Sequence, residues 1–418
     1  MSLPSTDMLE PADSAELELL IGDALENRTT LEVVGAGSKR ALGQTMDVDK
    51  IVSLSQLTGI TLYEPDELVL SARAGTPLVE IETALAEHNQ QLSFEPPDWG
   101  ALLGSNIPQT IGGVIATNLA GPRRIQAGAA RDHVLGVSMV TGRGETIKTG
   151  GRVVKNVTGY DLCKLITGSY GTLAVATDIT VKVLPVGEKV RTVLVAGLDE
   201  VAAVGAMTAA LSSPYDVSAA AFLPGNLTGR SEVSYISGAS VSIAAVRVEG
   251  PSPSVEARCS ALRTMLGALG YIEELHFHNS HKFWQEIGNV TPFAEEVGSV
   301  WRVSVPPSAV VTVIQIIRDG ADAEFYVDWG GGLIWIQLPN EADDDGGAVL
   351  IREAIKSCGG HATLIRASAE IKSRIAVFQP QEKGVAALNR RVKQGFDPAN
   401  ILNPGRMALT DRGALDAD

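Results

Sequence analysis

Along residues 14–27 the apolar positions recur every three or four places, with Leu17, Leu20, Ile21 and Leu25 on one face. Asp13 with Glu16 reads as a capping box, so the spacing predicts a short amphipathic helix. The pattern then shortens. Apolar runs at 31–34, 51–54, 60–63 and 68–73 predict strands, the first running into Gly35-Ala36-Gly37. A second helix is predicted with Thr76 as cap and Pro77 at its first position, turning Leu78, Ile81 and Leu85 inward. From 104 to 122 the chain is rich in Gly, Ala, Ser, Thr and Asn. An alternating hairpin follows at 134–140 and 145–148, and a long strand at 173–184 ends at Pro185.

After Gly187 the rhythm changes. Strand, helix and strand are predicted at 190–196, 199–211 and 217–223, and again at 241–248, 254–269 and 271–276. The pattern returns at 299–305, 308–319, 324–328 and 333–338, then closes with a helix at 348–358 and a strand at 362–366. Such repeated units with short loops predict an α+β region with a ferredoxin-like sheet. The five tryptophans include Trp301, Trp329 and Trp335 on these strands, where core packing is expected. Packing is also expected of Val385, Leu388 and Val392 in 383–394.

With 418 residues the chain is too long for one core, and two domains are expected, meeting near 187. It carries 34 Lys+Arg against 49 Asp+Glu, a net charge of −15 with no basic run, which argues against nucleic-acid binding. The N-terminus lacks the basic and apolar regions of a secretory signal, and no apolar stretch is long enough to span a membrane. Cys163, Cys259 and Cys358 are odd in number and scattered, without CxxC, as expected of a cytoplasmic protein without a metal framework.

Two glycine clusters carry candidate chemistry. Gly35-x-Gly37 after a strand invites a dinucleotide-binding reading. Yet Arg40 stands where a third Gly or Ala is needed, and the segment leads into a strand, not a helix. The loop Gly35-Ala36-Gly37-Ser38-Lys39 can instead form an anion nest, the alternative being a plain turn. About 75 residues later, Thr110 precedes Ile111-Gly112-Gly113, where side-chain-free positions at a helix start would admit a phosphate. Tight helix packing is the alternative there.

Taken in order, GAGSKRALG at 35–43, TIGGVIATNLAG at 110–121, Arg131-Asp132, Lys155-Asn156-x-x-Gly159-Tyr160-Asp161-Leu162 and GSYGTL at 168–173 resemble the vanillyl-alcohol-oxidase/PCMH FAD-binding family. The tail, with Phe396-Asp397-Pro398 and Ile401-Leu402-Asn403-Pro404-Gly405-Arg406, resembles that family's returning segment. The whole set is most similar to the FAD-binding subunits of bacterial glycolate oxidases.

The resemblance implies a PCMH-type FAD-binding domain at 1–187, an α+β cap at 188–395 and a returning segment at 396–418. It implies that Gly35, Ala36, Gly37 and Ser38, with Lys39, grip the pyrophosphate of FAD from one side, and Thr110, Gly112 and Gly113 from the other. Ala116, Thr117 and Asn118 would line the cofactor's path. Gly171, Thr172 and Ile179 would lie near the adenosine, and Asn403 and Arg406 near the flavin ring. The first loop has no His or Cys tether, so FAD is expected to be non-covalent. Partners implied are a larger homologous flavin subunit and an iron–sulfur subunit, with peripheral inner-membrane association through them. The activity implied is glycolate oxidation. A self-sufficient 2-hydroxy-acid dehydrogenase and a non-catalytic relay remain open alternatives.

Such oxidation needs a base for the hydroxyl proton and cations for the carboxylate. His361 is the candidate base and Arg366 the candidate clamp, against a loop histidine and a surface arginine. Lys155 and Tyr160 are candidates over the flavin edge, against capping and packing duties. His276, His278 and His281 suggest a metal cluster at first sight, but no acidic or thiol ligand lies within three residues except Glu273 and Glu274 before them. A solvated strand end is expected, and no metal. The Gly-Asp-Gly-Asn motif of metal-assisted relatives is also missing.

Overall fold

The computed structural model describes residues 8–152, 159–339 and 345–408. The first helix, Ser14–Asn27, starts where Asp13 accepts bonds from the Ala15 and Glu16 amides. Its apolar stripe buries Leu17, Ile21 and Ala24, as the spacing predicts. β1 (Met8–Leu9) and β2 (Leu31–Val34) flank β3 (Lys50–Ser53) in a small parallel sheet. β4 (Ile60–Glu64) and β5 (Val69–Arg73) join a five-stranded antiparallel sheet with β7 (Val134–Thr141), β8 (Thr146–Gly150) and β9 (Ala174–Lys182). β6 (Gln90–Gln91) pairs with β10 (Leu184–Pro185).

The next eight strands make one antiparallel sheet: β11 (Lys189–Ala196), β12 (Val217–Leu223), β13 (Ile243–Gly250), β14 (Tyr271–His276), β15 (Ser299–Ser304), β16 (Glu324–Asp328), β17 (Leu333–Leu338) and β18 (His361–Arg366). Their order is 14-11-13-12-16-17-15-18. Each half is a βαββαβ unit with the same internal order, so the ferredoxin-like unit occurs twice, joined edge to edge at Phe222 and Val327.

Strand side chains alternate between faces, and here both faces are covered. Val193, Val195, Phe222, Val246, Trp301, Val303 and Ile334 pack under the cap's helices. Leu194, Ala221, Ala245, Val300, Leu333 and Trp335 face the other way and merge with the core of the N-terminal half. Few polar groups interrupt this inner face. Arg247 is one, 2% exposed, bonding both oxygens of Glu95 at 2.8 and 2.9 Å and Glu249 at 2.9 Å. Arg123 pairs with Glu249, closing a four-residue ionic cluster across the joint.

The C-terminal return begins before residue 396. The Gln44 amide already donates to the Lys372 and Ile375 carbonyls, and Arg143 reaches the Gly395 carbonyl from helix Lys383–Phe396. Leu31 N–H then donates to the Ile401 carbonyl at 2.8 Å, and Asn403 N–H to the Leu31 carbonyl at 2.9 Å. Val392 and Phe396 pack against the core, but Val385 and Leu388 are exposed, contrary to expectation. They lie in the first half of that helix, where no residue is buried. The histidine cluster also differs. β14 ends at His276, and His278 and His281 lie on the next helix, Phe277–Asn289, so no strand alternation aligns them. Among the described residues no His, Cys, Asp and Glu group is suited to a metal.

Candidate functional site

A cleft enclosing about 830 Å³ of space, part of it open to solvent, lies where β2 ends. One wall is the loop from Gly35 to Arg40. Arg40 and Leu42 N–H groups close the turn on the Gly37 and Lys39 carbonyls, and Gly37 has φ +100°, which a side chain would strain. Among the described residues, the amides of Gly35, Ala36, Gly37, Ser38 and Lys39 have no acceptor. Arg406 explains their orientation. Only 8% exposed, it donates to the Lys39 and Arg40 carbonyls at 3.2 and 3.1 Å, turning the loop's oxygens away from the cleft.

The facing wall is helix Ile111–Thr117. Its first-turn amides are already used, which corrects the expectation of free donors there. Gly112 N–H donates to the Ala74 carbonyl at 2.8 Å and Gly113 N–H to the Thr110 hydroxyl at 3.3 Å. A Cβ on Gly112 would lie 2.6 Å from the Ala74 oxygen, so that glycine serves close packing. Gly113 is the open position, with the Lys39 chain 3.7 Å from where its Cβ would stand. Gly35 is crowded: a Cβ there would fall 2.2 Å from the Thr110 hydroxyl.

Ala116, Thr117, Tyr170, Gly171 and Asn403 complete the cleft's lining. Lys39 Nζ donates to the Gln109 side chain at 2.7 Å, and burial pushes its pKa down to about 8 against the opposing charge of Asp98. Three expected residues stand elsewhere. Asn118 caps its helix in a left-handed conformation and accepts from Arg131 N–H. The Thr172 hydroxyl donates to the Ser169 carbonyl, and Ile179 is buried in β9 opposite Ala72 and Val137.

The candidate catalytic residues separate too. Arg366 braces the segments around it through Nε and Nη1, which donate to the Gly298, Phe293 and Ala294 carbonyls, while its Nη2 is buried without a hydrogen-bond partner. Tyr160 is 91% exposed, away from the cleft, and Lys155 lies outside the described residues. His361 stands at the start of β18, opposite Ser304, in a recess open to solvent. Crowding by the protein, then the charges of Arg302 and Arg124, hold its pKa below the ordinary value.

Arg302, Arg124 and Asp328 went unnoticed in the sequence. The signal was available for Arg302, the lone charge among the strand residues 299–305. The Asp328 carboxyl, 2% exposed, is pushed up to about 7 by burial while its Oδ1 accepts the Trp329 amide.

A family model described as FAD binding domain matches residues 8–150, and one described as FAD linked oxidases, C-terminal domain, matches 377–407. Glycolate oxidase subunit GlcE of Escherichia coli is 33% identical over 402 residues, covering 96% of this chain and 99% of that one. Glycolate oxidase subunit GlcD of Bacillus subtilis is 26% identical, covering 98% of this chain and 90% of that one. Substrate-bound p-cresol methylhydroxylase shares the fold, with a TM-score of 0.69 at 14% identity over 96% of this chain and 88% of that one. The PCMH-type fold, the FAD-binding domain and the near full-length match together show that this chain belongs to the FAD-linked oxidase family that includes the glycolate oxidase subunits.

Proposed function

We propose that this chain is the FAD-holding subunit of a complex that oxidises glycolate to glyoxylate and passes electrons to an iron–sulfur partner. The observation that carries it is the run of five unpaired amides at Gly35–Lys39, on a cleft lined by the N-terminal half together with Asn403 and Arg406 of the return segment. Those amides, with Lys39, suit a pyrophosphate without a helix dipole. When bound, FAD supplies the acceptor for the two electrons and the hydrogen leaving the carbinol carbon. Arg406 and Asn403 keep the loop and the return segment in register around it. His361, held as neutral imidazole, is in the form that accepts a hydroxyl proton. No His or Cys lines the cleft among the described residues, which supports a non-covalent cofactor.

Three cysteines, two of them buried, are too few for a four-cysteine cluster, so the proposed relay requires another chain. A homologous flavin subunit completes the proposed complex. No helix among the described residues is long and apolar enough to cross a membrane. Cytoplasmic residence, with inner-membrane contact made through the partners, is proposed with it. Purified alone, the chain should be yellow and release intact FAD on denaturation. Protein that stays colourless after incubation with FAD would overturn the assignment.

Gly35→Val should cut FAD retained per chain about tenfold or more, since the new side chain displaces the Thr110 hydroxyl from Gly113 and narrows the loop. Absorbance of the dialysed protein, with circular dichroism as the folding control, measures it. Unchanged occupancy would remove this loop from the site.

A further inference from the structure

Two guanidinium groups lie over one indole at the joint between the two halves. Arg124, on helix Arg124–Ala127, is 4.6 Å from the Trp329 ring centroid, and Arg302, on β15, is 4.9 Å from it. Trp329 is held in place: it is 7% exposed, and its Nε1 donates to the Gly121 carbonyl at 3.0 Å. The group is therefore assembled from both halves of the chain around a fixed aromatic platform.

Neither arginine side chain has a hydrogen-bond acceptor or a carboxylate at ion-pair distance among the described residues. Arg247 and Arg123 at the joint pair with carboxylates, and Arg366 donates to carbonyls through two of its three nitrogens. Both free arginines are half-buried, and their nitrogens still reach solvent, so an incoming group has access. A cation–π contact is a weak attraction. That does not balance two like charges brought together out of water. Burial and the neighbouring Arg124 draw the Arg302 pKa down to about 10. Asp328, the acid whose charge acts on Arg302, is pushed up to about 7 by burial and so is only partly charged near neutrality, while Asp132 acts on Arg124 from beyond ion-pair distance. Unpaired, accessible donors of one sign on a rigid platform call for an anion.

We infer that Arg124 and Arg302 over Trp329 form a binding site for the carboxylate of a small organic acid. The inference rests on the proposed function for its choice of a 2-hydroxy acid. The guanidinium fork matches a carboxylate in two parallel bonds. The site lies within electrostatic reach of both the candidate base and the cleft. The two charges act on His361, and Arg302 also acts on Tyr170, whose ring belongs to the cleft lining. Trp329 then serves as the platform that fixes both forks and excludes water from one side of them.

Oxalate, a two-carbon carboxylate that cannot be oxidised by hydride loss, is the probe, titrated by calorimetry into the full chain with its FAD. Saturable binding is expected in the wild type. Arg302→Met and Arg124→Met should each weaken it about tenfold or more, with FAD content unchanged, and Arg302→Lys should lose less. Inorganic phosphate is the second arm and should bind more weakly than oxalate. Absence of oxalate binding to yellow wild-type protein, or equal binding by both Met variants, would overturn the inference while leaving FAD binding intact. Should a Met variant fail to fold, Arg302→Lys carries the comparison, and undiminished oxalate affinity there together with undiminished affinity in Arg124→Met also overturns it. Colourless protein that nonetheless binds oxalate through these arginines would instead overturn the proposed function and keep the anion site.

Discussion

Arg247→Met should destabilise the chain by about 3–5 kcal/mol, as expected when one partner of a buried ion pair is removed. The guanidinium bonds Glu95 twice, Glu249 and the Ser218 hydroxyl, and lies 5.0 Å from the Trp284 ring centroid. Burial alone would raise the Glu95 carboxyl, but Arg247 and Arg123 outweigh it and hold it below the ordinary value. A carboxylate with a lowered folded pKa contributes stability above its unfolded pKa and loses it as pH falls. Without Arg247 much of that balance reverses, and Glu95 becomes an underpaired buried acid that prefers its proton. The variant's deficit should therefore be larger at pH 8 than at pH 5. Urea unfolding followed by tryptophan fluorescence at both pH values tests this, and Glu95→Gln in the same background should restore part of the loss. A deficit below about 1 kcal/mol, or one growing as pH falls, would show that the cluster does not tie the sheet to the N-terminal half.

FAD affinity should fall as pH rises through 8, by up to tenfold per unit. In the free protein burial lowers Lys39 to about 8. A pyrophosphate beside it raises that pKa again, so binding takes up a proton wherever free Lys39 is neutral. Below 8 the lysine is charged in both states and the dependence flattens. Lys39→Met should bind FAD more weakly at pH 7 and show no such slope, as fluorescence titration of the apoprotein at several pH values would reveal. A slope retained in the variant would assign the proton to another group. The Gln109 contact at 2.7 Å holds the ammonium near the loop, so the effect should be local and leave the melting curve of the apoprotein little changed.

Several site residues were legible because local chemistry alone constrains them. Gly37 needs a positive φ, Thr110 caps a helix, and the chain between β2 and β3 forms turns in place of a Rossmann helix. Gly112 misled for the same reason. A glycine at a helix start looks like a phosphate site, whereas here it admits the Ala74 carbonyl, a neighbour from another segment. Arg366 misled differently. Five residues from His361 on one strand, it seemed available, yet a bulge between Val300 and Trp301 on the partner strand and the packing of 293–298 direct it to backbone carbonyls.

What the sequence by itself determined was the class of fold, the repeated strand–helix units of the cap and the position of the glycine loop, because hydrophobic periodicity and backbone constraints act over a few residues. Only the tertiary structure decided which charges meet. Arg124 and Arg302 are 178 positions apart (302 − 124) and Glu95 and Arg247 are 152 apart. Whether a buried charge is paired or open depends on what the opposite face of a sheet presents to it. That is set by how the cap docks on the N-terminal half, and no local pattern in either segment encodes it.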